Sequence, residues 1–230
     1  MAKFTKNQKL ANAKVNAEQL YSLKEAIKLS KEASFEKFDA TIDLAFKLNL
    51  DVRQADQQLR GALSLPNGTG KSVKVLAATD DSEQQKSAKS AGADIVVGGP
   101  ELQEILASGK FDFEIIVTDP KMMPTLGRYG KALGPKGLMP NPKTGTVTPN
   151  VGKAVEEIKK GKANYRTDKN GIIHTIIGKK SMDDDKLLEN AMLILETITK
   201  LKPTAVKGTY MQTLTVSSTM GPAIKIKLDK

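Results

Sequence analysis

One stretch of the sequence alternates apolar and polar residues over an unusual length. Apolar residues occupy every second position from Phe38 to Leu48, and polar residues such as Asp39, Thr41 and Asp43 stand between them. This alternation places the apolar side chains on one side of the chain, which is typical of a strand in a sheet with one buried face. Because an isolated hairpin is only marginally stable in water, the fold must supply further strands to pair with this one.

The strands that could pair with it lie far along the chain. Residues 163–167 and 172–177 are predicted strands, and the Asn-Gly step between them is a strong hairpin signal. Two further strands are predicted over 209–217 and 223–228, after an amphipathic helix over 183–201. We therefore expect the two ends of the sequence to form one α+β domain with an antiparallel or mixed sheet and helices.

The middle of the chain follows a different pattern. Short apolar runs at 73–78, 95–97 and 114–117 alternate with predicted helices at 83–91 and 101–107. Alternating strands and helices indicate βαβ units on a parallel sheet. A further helix is expected after Pro120, and another over 151–160 with Asn150 as its N-cap.

These patterns predict a discontinuous α+β domain, residues 1–67 plus 160–230, interrupted by an inserted α/β domain at residues 68–159. The chain carries 36 Lys and Arg against 26 Asp and Glu, a net charge of +10. Its two end segments contribute +3 and +6 and the middle only +1. The discontinuous domain therefore carries almost all of the excess positive charge.

A basic balance of this size favours a polyanionic partner, most often nucleic acid. Aromatic residues make up only 4% and Trp is absent, so a folded or double-helical target fits better than stacked single-strand bases. The absence of cysteine excludes disulfide scaffolds, thiolate catalysis and cysteine-ligated metal, and is compatible with a reducing cytoplasm. No apolar run approaches the length needed to cross a bilayer.

Two motifs suggest catalysis but lack its context. Residues 65–72 end in Gly-Lys-Ser like a phosphate-binding loop, yet Leu65 stands where the first glycine is required, and a strand rather than a helix is predicted to follow. The segment is interpreted as a glycine hinge, and a nucleotide hydrolase using Lys71 and Ser72 is the alternative. His174 is the single histidine, so it cannot build a multi-histidine metal site. No catalytic residue, metal or cofactor is expected.

Two other segments suit contact with RNA. Between Pro120 and Val155 there are six basic residues and no acidic ones, in a stretch rich in Gly and Pro that can present amides and cations to phosphates. A solvated flexible loop is the alternative there. On the predicted strand near the C-terminus, Thr213, Thr215 and Ser217 share one face and Thr219 continues the row. Small hydroxyls on a sheet suit the shallow minor groove of an RNA helix, although a merely solvent-facing strand is the alternative.

Three segments together carry a family resemblance. They are Leu65-Pro66-Asn67-Gly68-Thr69-Gly70-Lys71, the loop from Leu133 to Val147 containing Gly134-Pro135-Lys136-Gly137-Leu138-Met139-Pro140-Asn141-Pro142-Lys143, and Ser218-Thr219-Met220-Gly221-Pro222. In this order and over essentially the whole chain, the sequence resembles the bacterial family of large-subunit ribosomal protein number one. The resemblance implies a split RNA-binding domain with a Rossmann-like, three-layer α/β domain inserted in it.

The resemblance also implies a set of RNA-binding residues in this sequence. The principal contact would be the turn at Thr219, Met220 and Gly221, with Lys37, Phe38 and Thr41 on the other half of the surface. Thr213, Asp168 and His174 would adjoin it, and Thr215 and Ser217 join the set as members of the hydroxyl row. Alternation puts Phe38 on the buried face, whereas the resemblance puts it against RNA. Further assignments are a secondary RNA or tRNA contact loop (Arg128, Lys131, Lys136, Lys143) and a hinge (Gly68, Gly70, Gly161).

The function implied is that of a structural, non-enzymatic protein of the large subunit, cytoplasmic and ribosome-associated. It would bind 23S rRNA as a monomer at the mobile side stalk near the tRNA exit site and assist release of deacylated tRNA. It would also repress translation of its own operon by binding the mRNA leader. A general nucleic-acid binder without shape preference is a further alternative.

Overall fold

The computed structural model describes residues 4–109, 111–204 and 206–228. The chain folds as two units. The terminal unit comprises Met1–Lys71 and Ala163–Lys230, and the central unit comprises Ser72–Lys162. Within the described ranges, no helix combines the length and apolar character that a bilayer span requires.

The elements are numbered in chain order. The helices are α1 (Lys6–Ala13), α2 (Leu23–Ala33), α3 (Ser82–Ser90), α4 (Gly99–Ser108), α5 (Met123–Arg128), α6 (Gly130–Leu133), α7 (Val151–Gly161) and α8 (Asp184–Lys200). The strands are β1 (Thr41–Leu48), β2 (Arg60–Ser64), β3 (Val75–Ala78), β4 (Ile95–Val97), β5 (Ile115–Thr118), β6 (Lys162–Arg166), β7 (Ile172–Lys179), β8 (Met211–Ser218) and β9 (Ile224–Ile226). Short 3-10 turns occur at Ala55–Gln57, Pro120–Met122 and Pro142–Thr144.

The terminal unit is built on a four-stranded sheet in the order β7-β1-β8-β9, and all neighbours are antiparallel. The alternating strand is therefore flanked by β7 and β8 from the distant part of the chain, as predicted. Ile42, Leu44, Phe46 and Leu48 are buried, and the residues between them are half-exposed. Helices α2 and α8 pack on the buried face, so the opposite face of the sheet is left open.

Helix α8 packs on the sheet through an apolar stripe that includes Leu187, Ala191 and Ile194. The stripe contains one buried polar residue, Asn190. Its amide nitrogen donates to the Ile177 carbonyl at 2.8 Å and to the Gly68 carbonyl at 3.0 Å, and its amide oxygen accepts from the Asn67 N–H at 3.3 Å. Asn190 thus joins α8 to strand β7 and to the segment that follows β2.

The hairpin predicted over 163–177 is wrong as a strand pair. Strand β6 pairs with β2 in a separate two-stranded sheet, while β7 pairs with β1. The turn itself forms, and Thr167, the residue after β6, still makes a bridge with Ile173 of β7. The two strands diverge because Thr167 is held by Leu59: its N–H donates to the Leu59 carbonyl at 2.9 Å, and its hydroxyl accepts from the Leu59 N–H at 3.1 Å.

The central unit contains a three-stranded parallel sheet in the order β4-β3-β5. Successive residues of β3 enter different apolar clusters, as expected for a strand covered on both faces. Leu76 and Ala78 pack with residues of α4 and α5, whereas Val75 and Ala77 pack with residues of α3 and α7. As predicted, Asn150 caps α7, where its side chain accepts from the Lys153 N–H at 3.3 Å.

The phosphate-loop alternative does not fit this backbone. A phosphate-binding loop must lead into a helix, whose N-terminal amides face the phosphate. Here Lys71 and Ser72 lead into an irregular segment, and the next element is strand β3, which begins at Val75. The helix terminus that would hold the phosphate is therefore replaced by a strand.

Candidate nucleic-acid interface

The open face of the terminal sheet gathers residues from three strands into cross-strand rows. In β1, Lys47, Ala45 and Asp43 stand at successive positions of this face, because side chains alternate along a strand. Their opposite residues complete three rows: Thr213–Lys47–Ile172, Thr215–Ala45–His174 and Ser217–Asp43–Ile176. The predicted hydroxyl row and His174 therefore lie on one surface.

The open face ends where the start of β1 meets the turn after β8. The Thr219 N–H donates to the Thr41 carbonyl at 3.0 Å, and the Thr41 N–H donates to the Thr219 hydroxyl oxygen at 3.0 Å. The same hydroxyl donates to the Thr41 carbonyl at 3.2 Å. We call the joined segments, residues 36–41 and 218–221, the seam.

Glu36 also joins the two sides of the seam. Its carboxylate accepts from the Met220 N–H at 2.8 Å, from the Ser218 hydroxyl at 3.1 Å and, in a short contact, from the Ser34 hydroxyl. Burial raises the pKa of Glu36, but the hydrogen bonds from Ser34, Met220 and Ser218 outweigh it and leave the pKa lowered. Glu36 was not predicted from the sequence, because its partners across the seam, Ser218 and Met220, lie more than 180 positions away and no local motif marks it.

Two exposed apolar side chains belong to the seam. Phe38 is 57% exposed and Met220 is 54% exposed. The assignment of Phe38 to the buried face by alternation is wrong, because β1 begins only at Thr41 and the backbone at Phe38 lies outside the strand. Lys37 is also exposed. The seam therefore presents an aromatic ring, a thioether and a cation at the end of a hydroxyl-bearing sheet face.

Asp168 lies in the turn between β6 and β7, near the far end of the open face. Its carboxylate accepts from the Ile172 N–H at 2.7 Å and from the Asn170 N–H at 2.9 Å. The hydrogen bond from Ile172 is the main cause that lowers the pKa of Asp168. Lys47 donates to the Asn170 carbonyl at 2.6 Å, which ties the turn to β1. Asp168 thus shapes the turn with its own side chain.

Asp43 is a second acidic residue of the open face that sequence reasoning did not select. Burial raises the pKa of Asp43, and the charges of His174 and Lys179 act in the opposite direction. Lys179 in turn donates to the Thr41 hydroxyl at 3.2 Å. Basic side chains of β7 therefore face the one carboxylate in the rows of this face.

The four basic residues assigned to a secondary contact loop are exposed in the central unit. Arg128 ends α5, Lys131 lies in α6, Lys136 follows α6, and Lys143 lies in a 3-10 turn. The stretch contains two short helices and a 3-10 turn, so it has more regular secondary structure than its Gly and Pro content suggests. The ammonium of Lys136 lies 4.2 Å from the centre of the Phe111 ring, a cation–π distance.

The three glycines assigned to a hinge all have positive φ, at 67° for Gly68, 70° for Gly70 and 105° for Gly161. Gly161 is the last residue of α7, and Gly68 is bound to α8 through Asn190. These positions lie close to the points where the chain passes between the two units. A hinge motion remains a prediction.

No group of three or more His, Cys, Asp or Glu residues in the described parts of the chain is arranged to hold a metal ion.

Comparison with known proteins gives one consistent result. The model of the ribosomal protein L1p/L10e family matches residues 3–222. The large ribosomal subunit protein uL1 of Mycoplasmopsis pulmonis is 66% identical over 229 residues, covering 100% of both chains. The proteins of the same name from Mycoplasma mobile and Mesomycoplasma hyopneumoniae are 64% and 57% identical, and each alignment covers at least 98% of both chains.

Proposed function

Because this chain belongs to the ribosomal protein L1p/L10e family, we propose that it is a structural constituent of the large ribosomal subunit that binds 23S rRNA through the seam and the open face. The binding site is the mobile side stalk near the tRNA exit site, where the protein assists release of deacylated tRNA. It binds as a monomer within the subunit and works without a catalytic step.

The observation that carries the proposal is the junction of residues 36–41 with residues 218–221. These segments are about 180 positions apart in the sequence, yet Thr41 and Thr219 are joined by three hydrogen bonds. The seam and the hydroxyl row offer short polar groups, main chain and one aromatic ring in a single surface. RNA minor grooves display 2′-hydroxyls and base edges that such a surface can contact.

The terminal unit supports the assignment of residues 1–67 and 160–230 as the RNA-binding domain, since the seam and the open face lie within it. The parallel sheet of the central unit, with helices on both faces, supports the proposal of a Rossmann-like insertion at residues 68–159. We assign the tRNA contact to its exposed cations Arg128, Lys131, Lys136 and Lys143. Gly68, Gly70 and Gly161 form the hinge between the domains.

Repression of the protein's own operon follows from the same surface, if the mRNA leader presents the shape that the stalk RNA presents. Both RNAs then compete for the seam. A filter-binding competition measures this: unlabelled leader RNA should displace a labelled stalk transcript from the full-length protein. Simultaneous binding of both RNAs would contradict a shared site.

The direct test of rRNA binding uses Thr219→Val in the full-length chain. The valine removes the hydroxyl that accepts from Thr41, and we expect affinity for a transcript of the side-stalk rRNA to fall about tenfold, while affinity for a plain RNA duplex changes little. Thr209→Val changes an exposed threonine outside the open face and serves as the matched control.

A general nucleic-acid binder gives a different result. It binds stalk RNA and duplex RNA equally, and the logarithm of its affinity falls with the logarithm of the salt concentration at a slope of about −0.9 per phosphate contacted. Equal loss of affinity for both RNAs in Thr219→Val would therefore refute the seam as the site of recognition.

A further inference from the structure

Glu36 is a carboxylate inside a surface proposed to bind a polyanion. A negative charge there disfavours phosphate binding, so the presence of Glu36 calls for a role other than contact with phosphate. Its side chain is half-buried, and it accepts from three donors, the Met220 N–H, the Ser218 hydroxyl and the Ser34 hydroxyl. The hydrogen bonds that lower the pKa of Glu36 keep it ionised at neutral pH.

The hydrogen bonds of the turn leave its main-chain donors occupied. The Thr219 N–H donates to Thr41, the Met220 N–H donates to Glu36, and the Gly221 N–H donates to the Ser218 carbonyl at 3.1 Å. The Thr219 hydroxyl also gives its proton to the Thr41 carbonyl. Of the three amides, that of Met220 is the one whose partner is a side chain rather than the backbone.

Gly221 fits the same arrangement. A Cβ atom built on Gly221 would collide with the Ser218 hydroxyl oxygen, the group that donates to Glu36. The hydroxyl can stay on Glu36 because residue 221 has no side chain. The Ser218 hydroxyl therefore lies between Glu36 and Gly221, and Glu36 also holds the backbone of the exposed Met220.

We propose that Glu36 is the positioning residue that fixes the turn at Thr219–Gly221 for RNA recognition. Glu36 occupies the Met220 N–H. The polar groups that the turn then offers to a ligand are its carbonyl oxygens, which accept hydrogen bonds. Such a turn selects ligand groups that donate, namely 2′-hydroxyls and base amino groups, over phosphate oxygens, which only accept. This inference rests on the proposed function of the seam.

The test compares Glu36→Ala and Glu36→Gln with Glu32→Ala, all in the full-length protein. Glu32 is exposed on α2, so its removal changes the net charge equally without touching the turn. Binding is measured for a side-stalk rRNA transcript and for an RNA duplex of equal length. Hydrogen exchange of the Met220 amide is measured without RNA, and the thermal transition reports whether each variant is folded.

We expect Glu36→Ala to weaken stalk RNA binding about tenfold, or ~1.4 kcal/mol, and to leave duplex binding like that of Glu32→Ala. Its Met220 amide should exchange at least tenfold faster than in the unmodified protein. Glu36→Gln retains an amide oxygen for Met220, so it should stay within about threefold of the unmodified protein in both measurements. Loss of discrimination without global unfolding would support the positioning role.

The opposite outcomes are separable. If Glu36→Ala matches Glu32→Ala in stalk binding and in Met220 exchange, Glu36 does not position the turn and the inference is overturned. If Glu36→Ala fails to fold, the inference is tested with Glu36→Gln. If the Met220 amide of Glu36→Gln exchanges as fast as it would in an unfolded chain, the inference is contradicted. If the unmodified protein binds stalk RNA no better than duplex, the proposed function fails, while the exchange measurement still tests the contact.

Discussion

Asn190 offers a sharp test of how the terminal unit is held together. Its side chain is fully buried in the apolar stripe of α8 and satisfies three backbone groups, the carbonyls of Ile177 and Gly68 and the N–H of Asn67. In Asn190→Ala those groups lose their partner. A buried group left unsatisfied costs about 1–3 kcal/mol.

The expected loss is about 2–4 kcal/mol in the free energy of unfolding. Only the Ile177 carbonyl bears the full cost, because Asn67 and Gly68 are half-exposed and can be hydrated by water. Urea denaturation followed by circular dichroism measures the loss. Glu189→Ala is the matched control, since it removes only the exposed bond from the Asn67 side chain at 2.8 Å. A loss below 1 kcal/mol for Asn190→Ala, or an equal loss for both variants, would refute the account of Asn190 as a buried link.

Three further predictions concern the same unit. Phe46 is fully buried in β1, so Phe46→Ala should lower the free energy of unfolding by about 3–5 kcal/mol, whereas Phe38→Ala, at an exposed site, should change it by less than about 0.5 kcal/mol; denaturant titration checks both. Gly178→Ala should cost about 1–3 kcal/mol by thermal unfolding, because its Cβ would lie 2.6 Å from a leucine methyl of α8; an unchanged midpoint would contradict this crowding. The pKa of Asp168 is lowered in the folded protein, so the contribution of Asp168 to stability is fully present above the ordinary carboxyl pKa of 3.8 and is lost as the pH falls through the lowered pKa. An NMR titration of the Ile172 amide should therefore show a midpoint below 3.8. A midpoint at or above 3.8 would be inconsistent with the hydrogen-bonded turn.

The parts of the fold that follow from local periodicity could be predicted from the sequence. The alternation over 38–48 identified β1 and its buried face, and it failed only at the beginning, where Phe38 continues the pattern although the strand has not yet started. The alternating strands and helices of the middle segment correspond to β3, β4, β5 and their helices, with bounds displaced by one or two residues. These features are encoded within a few residues of each other, so a single sequence reveals them.

The features that were missed depend on partners far away in the sequence. The Asn-Gly turn after Asp168 is a local signal, but whether the flanking strands stay paired is decided by Leu59, more than 100 positions earlier. Glu36 and Asn190 show no local pattern that separates them from other surface acids or helix amides. Asn190 contacts Asn67 across 123 positions and Glu36 contacts Met220 across 184, and those contacts exist only in the folded chain.

The central place of β1 between β7 and β8 has a consequence for synthesis of the chain. Strand β1 leaves the ribosome about 160 residues before β8, and at about 5–20 residues per second that interval is roughly 10–30 seconds. During this interval the apolar strand β1 lacks at least one of its two neighbouring strands, and its unpaired edges can pair with other nascent chains. Slow translation or a truncated message should therefore expose this protein to aggregation more than a protein whose strands pair in the order in which they are made.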